Sequence, residues 1–290
     1  MPELTLINFA ALAAFGFVIG LLGSVLGIGG GVFMVPFLVL ALKIPIHQAV
    51  AVSLVAIAAA SSAVASVNVE RGLTNMRLGI VFETTMALGS VLSALAAGFM
   101  PARAVQLMFA LSLFPVSFMM FMKGRRAFVA AKPGMPEESC AAAGRFDASF
   151  FDPALKGERA YRVRNVLSGS VVSFFSGCLS GLLGLGGGIV QVPVMTLMCG
   201  VPMKAAAATS NFMIGVSAAA SAFVYFKKGY VLPELAAVIV IGVLFGSFLG
   251  IHALYRARSE KIQMVFSVIT LLVAVKMLMK AMEAGRLVGW

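Results

Sequence analysis

Gly27-Ile28-Gly29-Gly30-Gly31, followed by Pro36 and Pro45, returns 157 residues later as Gly184-Leu185-Gly186-Gly187-Gly188, followed by Pro193 and Pro202. The same offset pairs Gly20 with Gly177, Ser53 with Ser210, Gly72 with Gly229, Gly89-Ser90 with Gly246-Ser247 and Gln106 with Gln263. The chain reads as two homologous halves, residues 1–122 and 165–290, joined by a linker at 123–164. A glycine-broken apolar stretch in matching places of two halves is the sequence mark of a carrier's binding site.

Composition puts these halves in a membrane. The chain is 61% hydrophobic and 11% charged, with a mean hydropathy of +1.02. Soluble domains hold about 45–50% apolar and about 25% charged residues. A spanning helix needs about 20 mostly apolar residues. Candidates are roughly Leu4–Leu42 and Val166–Cys199, both interrupted. Ile46–Val69, Leu78–Met100 and Ala104–Met122 follow in the first half, and Met203–Phe226, Leu235–Tyr255 and Ile262–Met282 in the second. The alternating ten-residue strands of a membrane barrel are absent from the sequence. The expected class is an all-α polytopic membrane protein.

Of the net charge of +11, the linker carries +4, since Lys123–Arg164 holds nine Lys and Arg against five Asp and Glu. Short basic loops mark the cytoplasmic side, so the linker is expected there, and nucleic-acid binding is not. Cys140, Cys178 and Cys199 form an odd set without metal-ligand spacing and read as free thiols. The first apolar stretch lacks a basic region before it and reads as structure, not as a cleaved leader.

Four glycines in five positions each cost a helix about 1 kcal/mol against alanine. The spacing predicts a helix, an irregular run near Gly27–Val35 and a half-helix from Pro36 to Lys43, repeated as Gly184–Val192, Pro193 and Gly200. Irregular backbone at membrane depth persists only where protein or a water-filled cavity satisfies it. Exposed amides and the positive end of a half-helix favour an anion. Gly29, Gly30, Gly31, Gly186, Gly187 and Gly188 are therefore expected to converge on one small anion. The alternative is that these glycines only permit close helix packing; two copies in register favour the ligand. An odd number of crossings per half would invert the repeats. Glu3 without nearby Lys or Arg favours inversion, while Lys276, Lys280 and Arg286 point the other way.

Gly27–Val32 with Pro36, and Gly184–Ile189 with Pro193, resemble the paired motifs of the TauE/SafE sulfite-exporter family, over roughly Phe15–Met122 and Ser173–Met282. The resemblance implies a bacterial-type plasma-membrane permease for sulfur-containing anions such as sulfite, sulfonates or thiosulfate, often an exporter. The family's Thr-Ser pair early in the next helix is matched by Thr209-Ser210, followed by Asn211. The first copy reads Val52-Ser53-Leu54 and lacks the threonine. An asymmetric site follows, with Ser53, Thr209, Ser210 and Asn211 as substrate candidates; helix–helix hydrogen bonding is the plainer role for such residues.

Ionisable side chains within a bilayer are functional candidates by default. Glu83, whose counterpart is Val240, is the candidate carrier of a coupling proton; a snorkelling position beside Arg77 is the alternative. Lys276 is a candidate to attract the anion, with snorkelling near its helix end as the alternative; His252 is a second candidate proton carrier, and Gln191, opposite Met34, is a further substrate contact. No nucleotide-binding motif, HExxH or nucleophile–base pair is present in the sequence, so neither a cofactor nor enzymatic catalysis is expected. The expected function is secondary transport by alternating access; a passive anion channel and a non-transporting membrane subunit are the alternatives. Small-residue helix faces also allow a homo-oligomer.

Overall fold

The computed structural model describes residues 6–26, 29–129, 144–152, 157–254 and 271–280. The first half holds α1 (Leu6–Leu26), α2 (Gly31–Leu40), α3 (Ile46–Glu70), α4 (Met76–Ala97) and α5 (Ala102–Val129). The second holds α6 (Val166–Leu183), α7 (Gly188–Pro193), a π turn (Val194–Met198), α8 (Met203–Lys227) and α9 (Pro233–Leu254). Residues 271–280 are also helical, the described part of the span expected at Ile262–Met282. Among the described residues, five helices (α3, α4, α6, α8 and α9) are long and apolar enough to cross a bilayer. Their polarity is that of a membrane protein: Leu88, Leu92, Phe223 and Phe245 face outward, while Ser53, Ser90, Ser173, Ser176 and Ser217 are buried. Lipid takes the apolar face, and small hydroxyl residues pack helix on helix.

The half-helices begin earlier than the prolines suggest. α2 starts at Gly31, and Pro36 stands inside it, so the irregular run expected to reach Val35 ends at Gly30. Gly30, at φ 79°, turns the chain and lets the helix start at once. Pro36 then forgoes only the bond to the carbonyl four residues back. In the second copy α7 begins at Gly188, after Gly187 at φ 70°, and ends on Pro193, where the backbone widens into the π turn. Both stretches close alike. Leu42 and Ile44 donate their N–H groups to the Phe37 and Leu38 carbonyls at 3.4 and 3.1 Å, as Cys199 and Val201 do to Val194 and Met195 at 3.2 and 2.9 Å.

Each half-helix folds back along the helix before it. Gly30 lies beside Ile19, and Phe37 stacks on Phe15 with ring centroids 3.5 Å apart. Likewise Gly187 lies beside Ser176, Gln191 beside Ser173 and Cys199 beside Gly169. α3 then continues in the direction of α1, and α8 in that of α6.

The halves interlock by exchange. α1 packs on α9, running parallel to it, with Gly242, Gly246 and Gly250 against Ala13, Phe17 and Leu21. α4 packs in parallel on α6, with Gly177 and Gly181 against the Met86 and Ser90 carbonyls. A methyl group at any of these glycines would overlap opposing backbone, so only glycine allows helices this close. α8 lies across α3 and runs parallel to α4, since Gly79 meets Thr209 and Phe212 while Ser90 meets Ser217. Because α3 and α4 are joined by the short turn at residues 71–75, α3 and α8 run in opposite directions.

The linker contains structure that composition did not signal. α5 runs past residue 122 to Val129, and β1 (Ala148–Asp152) pairs antiparallel with β2 (Gly157–Tyr161). Phe150 and Tyr161 are buried against each other with rings 6.3 Å apart. Asp147 accepts the Gly144 and Val163 N–H groups at 2.7 and 2.9 Å. The segment is fastened to one end of the bundle: Asn75 Nδ2 donates to the Phe146 carbonyl at 2.9 Å, and the Arg164 N–H donates to the Cys199 carbonyl at 3.1 Å. This linker face carries the ends of α3 and the starts of α4, α6 and α8.

Candidate substrate site

The first glycine break lies beside the middle turns of α3 and α8, and the second beside Val50 and Ser53 in the opening turns of α3. Gly27 and Ile28 fall outside the described residues. Gly29, at φ 79°, lies against Ile57 and Ser61 of α3 and Ile214 of α8. Gly31 abuts the Gly184 carbonyl, and Gly184 faces Val35 and Val50. Ser53 Oγ donates to that same carbonyl at 3.0 Å. The two breaks thus meet across the bundle at Gly31 and Gly184.

Beside this junction is a small, partly open cavity about the size of one water molecule, lined by Ile19, Gly20, Gly23, Ser24, Gly29, Ala60, Ser61, Val64, Asn211 and Ser247. Its walls come from α1, α3, α8 and α9, and none of the lining side chains is charged. Ser24 and Ser247 donate to the Leu21 and Gly20 carbonyls at 2.9 and 3.3 Å. Ser61 Oγ is buried and has no hydrogen-bond partner among the described residues. The Asn211 carboxamide carries two N–H donors. Hydroxyl, carboxamide and main-chain donors in a low-dielectric setting make strong hydrogen bonds to an anion. With no fixed cation in the lining, they also leave it free to depart.

The sequence-derived candidates separate into groups. Gly29 and Asn211 line the cavity, while Gly31 and Ser53 converge on Gly184. Gly30 and Gly187 sit just before α2 and α7, and Gly187 accepts from Ser176 Oγ at 2.8 Å. Gly186 has φ 81°, and Gly188 opens α7. Thr209 is wholly buried and accepts the Asn75 N–H at 3.0 Å. Gln191 is wholly buried, with Nε2 donating to Ser173 Oγ at 2.9 Å. Ser210 is wholly buried in α8. Glu83 is 7% exposed on α4, and neither carboxylate oxygen has a partner among the described residues. Lys276 is exposed on its helix, and the His252 side chain lies outside the described residues.

Sequence reasoning missed Ser24, Ser61 and Ser247. Ser247 carried a signal, because Gly246-Ser247 repeats Gly89-Ser90; Ser61 carried none, since its counterpart is Ala218.

A family model described as "Sulfite exporter TauE/SafE" matches residues 12–277. The chain is 25% identical over 279 residues to the probable membrane transporter protein YunE of Bacillus subtilis (strain 168), covering 93% of this chain and 97% of that protein. It is 24% identical over 235 residues to the probable membrane transporter protein YdhB of the same organism, 81% of this chain and 85% of that one. To the Arabidopsis thaliana protein named sulfite exporter TauE/SafE family protein 6 it is 38% identical over 81 residues, 28% of this chain and 19% of that protein. No solved structure matches the chain.

Proposed function

Because the chain belongs to the sulfite exporter TauE/SafE family, we propose that this multi-pass membrane transporter moves a small sulfur-containing oxyanion, of the class of sulfite, a sulfonate or thiosulfate, outward across the cytoplasmic membrane by alternating access. One observation carries the reading. The uncharged donor cavity of Gly29, Ser61 and Asn211 adjoins the point where the two glycine breaks meet. A transporter must bind its cargo and then release it, and neutral donors aimed at an anion do both. The family, described as sulfite exporters, and the name of the Arabidopsis relative favour sulfur over carboxylate anions of similar shape.

The two halves act as inverted repeats in this reading. Parallel α1 on α9 and parallel α4 on α6, with α3 and α8 opposed, support it. The basic linker face is cytoplasmic. Glu70 and Lys227 occupy equivalent places in the two halves, so single cysteines there are expected to label from opposite sides of the membrane; labelling from one side would mean parallel halves. Glu83 carries the coupling proton, since an isolated buried carboxylate is tolerable when protonated and costly when charged. Glu83→Gln is then expected to abolish transport driven by a proton gradient while leaving counterflow exchange. Loss of both together would assign Glu83 to structure.

The direct test is exchange of sulfur-labelled sulfite by the purified protein in liposomes, competed with thiosulfate, methanesulfonate and acetate. Saturable exchange inhibited by the sulfur oxyanions and not by acetate is the expected result. A folded protein that exchanges none of them removes the substrate assignment.

A further inference from the structure

We propose a second oxyanion half-site where α4, α6 and α8 meet, built on Ser180 and Ser221, closed in this conformation and lying in the half of the bundle remote from the linker. The proposal rests on the transport reading above and assigns that pathway its second station.

The observation is a pair of stranded hydroxyls. Ser180 and Ser221 are both 0% exposed, and neither Oγ has a partner among the described residues. A buried serine in a membrane helix usually bonds back to its own helix, as Ser173 does to the Gly169 carbonyl at 2.8 Å and Ser217 to the Met213 carbonyl at 3.0 Å. An unmade hydrogen bond in this setting is costly, and both residues bear that cost. Gly181, next to Ser180, abuts the Ser90 carbonyl and the Ser93 hydroxyl. Ser90 Oγ donates to the Ser217 carbonyl at 3.1 Å, and the Tyr225 hydroxyl donates to the Leu182 carbonyl at 3.4 Å. Ser221 stands one turn from both Ser217 and Tyr225, which brings it level with Ser180.

The position within the fold gives these hydroxyls a purpose. Shifted by the 157-residue offset, the cavity lining Gly23, Ala60, Val64 and Ser247 becomes Ser180, Ser217, Ser221 and Ser90. The occupied places are equivalent, but the second set is richer in hydroxyls. The depth differs as well. Ala60 and Val64 lie toward the linker-facing end of α3, whereas Ser217 and Ser221 lie toward the opposite end of α8. In a bundle whose halves exchange roles, the movement that closes the linker-side cavity opens its counterpart. There Ser180 and Ser221 gain as partner the same oxyanion that Ser61 and Asn211 release.

Initial-rate KM values for sulfite, measured from each face in right-side-out and inside-out vesicles, test the assignment. Ser180→Ala and Ser221→Ala are expected to raise KM about tenfold from the face opposite the linker, relative to the linker face, the loss of one anion hydrogen bond. Ser61→Ala is expected to move the same ratio the other way. If all three variants shift both faces alike, the half-site is overturned. A wild-type chain with no exchange overturns the transport reading instead, and thiol labelling then decides the half-site without flux. In a chain with Cys140, Cys178 and Cys199 replaced, Ser221→Cys should react with an impermeant reagent from the face opposite the linker, and methanesulfonate should slow that reaction. Labelling from the linker face alone, or without protection, sinks the proposal.

Discussion

The first glycine break opens beside a cavity; the second is shut by side-chain hydrogen bonds. At the first, Gly29 lines a small cavity together with Ser61 and Asn211. At the second, Ser176 holds the Gly187 carbonyl and Ser173 holds the Gln191 amide. The residues equivalent to Ser176 and Gln191 in the first half are Ile19 and Met34, which hold nothing by hydrogen bonds, and the equivalent of Asn211 is Leu54. The two glycine runs thus differ in chemistry: the first borders a cavity, and the second is held by its own half's side chains. The polar residues of a repeat therefore have to be sorted by what they already hold.

Substitutions that erase or copy this difference rank by what they disturb. The largest effect is expected from Gly31→Ala, whose methyl group would overlap the Gly184 carbonyl and crowd the Ile57 Cδ1. Backbone cannot step aside as a side-chain tip can, so we expect exchange below about 1% of wild type and a lowered melting midpoint in detergent. Asn211→Leu, which copies Leu54, is expected to raise KM for sulfite about 10- to 100-fold with a near-normal melting midpoint, as one or two anion hydrogen bonds vanish. Unchanged KM would remove Asn211 from the site.

The next pair sets the breaks directly against each other. Gly30→Ala and Gly187→Ala both force alanine to positive φ, at roughly 1–2 kcal/mol. The new methyl at Gly30 would meet the stiff Ile19 Cγ2, whereas at Gly187 it would meet the tip of the flexible Met86. Gly30→Ala should melt lower and transport less; the reverse order would mean that the second break is the more constrained. Thr209→Val, which copies Val52, is expected to do least to transport. It removes the acceptor of the Asn75 N–H, costing about 1 kcal/mol of stability and moving KM less than twofold.

The helical membrane class was legible because apolar runs of spanning length have few other readings. Gly29–Gly30 and Gly184–Gly187 stand between the end of one helix and the start of the next. The start of α2 was not legible, because a proline tolerated at a helix's first turn is also tolerated further along when only one carbonyl loses its donor. Roles within the Thr209–Asn211 group were illegible for a geometric reason: adjacent helical residues point about 100° apart, so Thr209 meets Asn75 while Asn211 meets the cavity. Ser61 stayed hidden because a lone serine in a helix rich in Ala and Ser looks the same whether it packs or binds. The linker hairpin stayed hidden because two five-residue strands are too short to stand out in a polar stretch.

The glycine seams between α1 and α9, and between α4 and α6, each join a helix of one half to a helix of the other. The strongest seams in the molecule therefore join the first half of the chain to the second. The repeats expected from the sequence and the packed pieces of the bundle are different partitions of the same chain. In the alternating-access cycle proposed above, α1 and α9 would move as one piece and α4 and α6 as another. A disulfide bolted across either seam should leave the machine running, and one bolted between α3 and α8 should stop it.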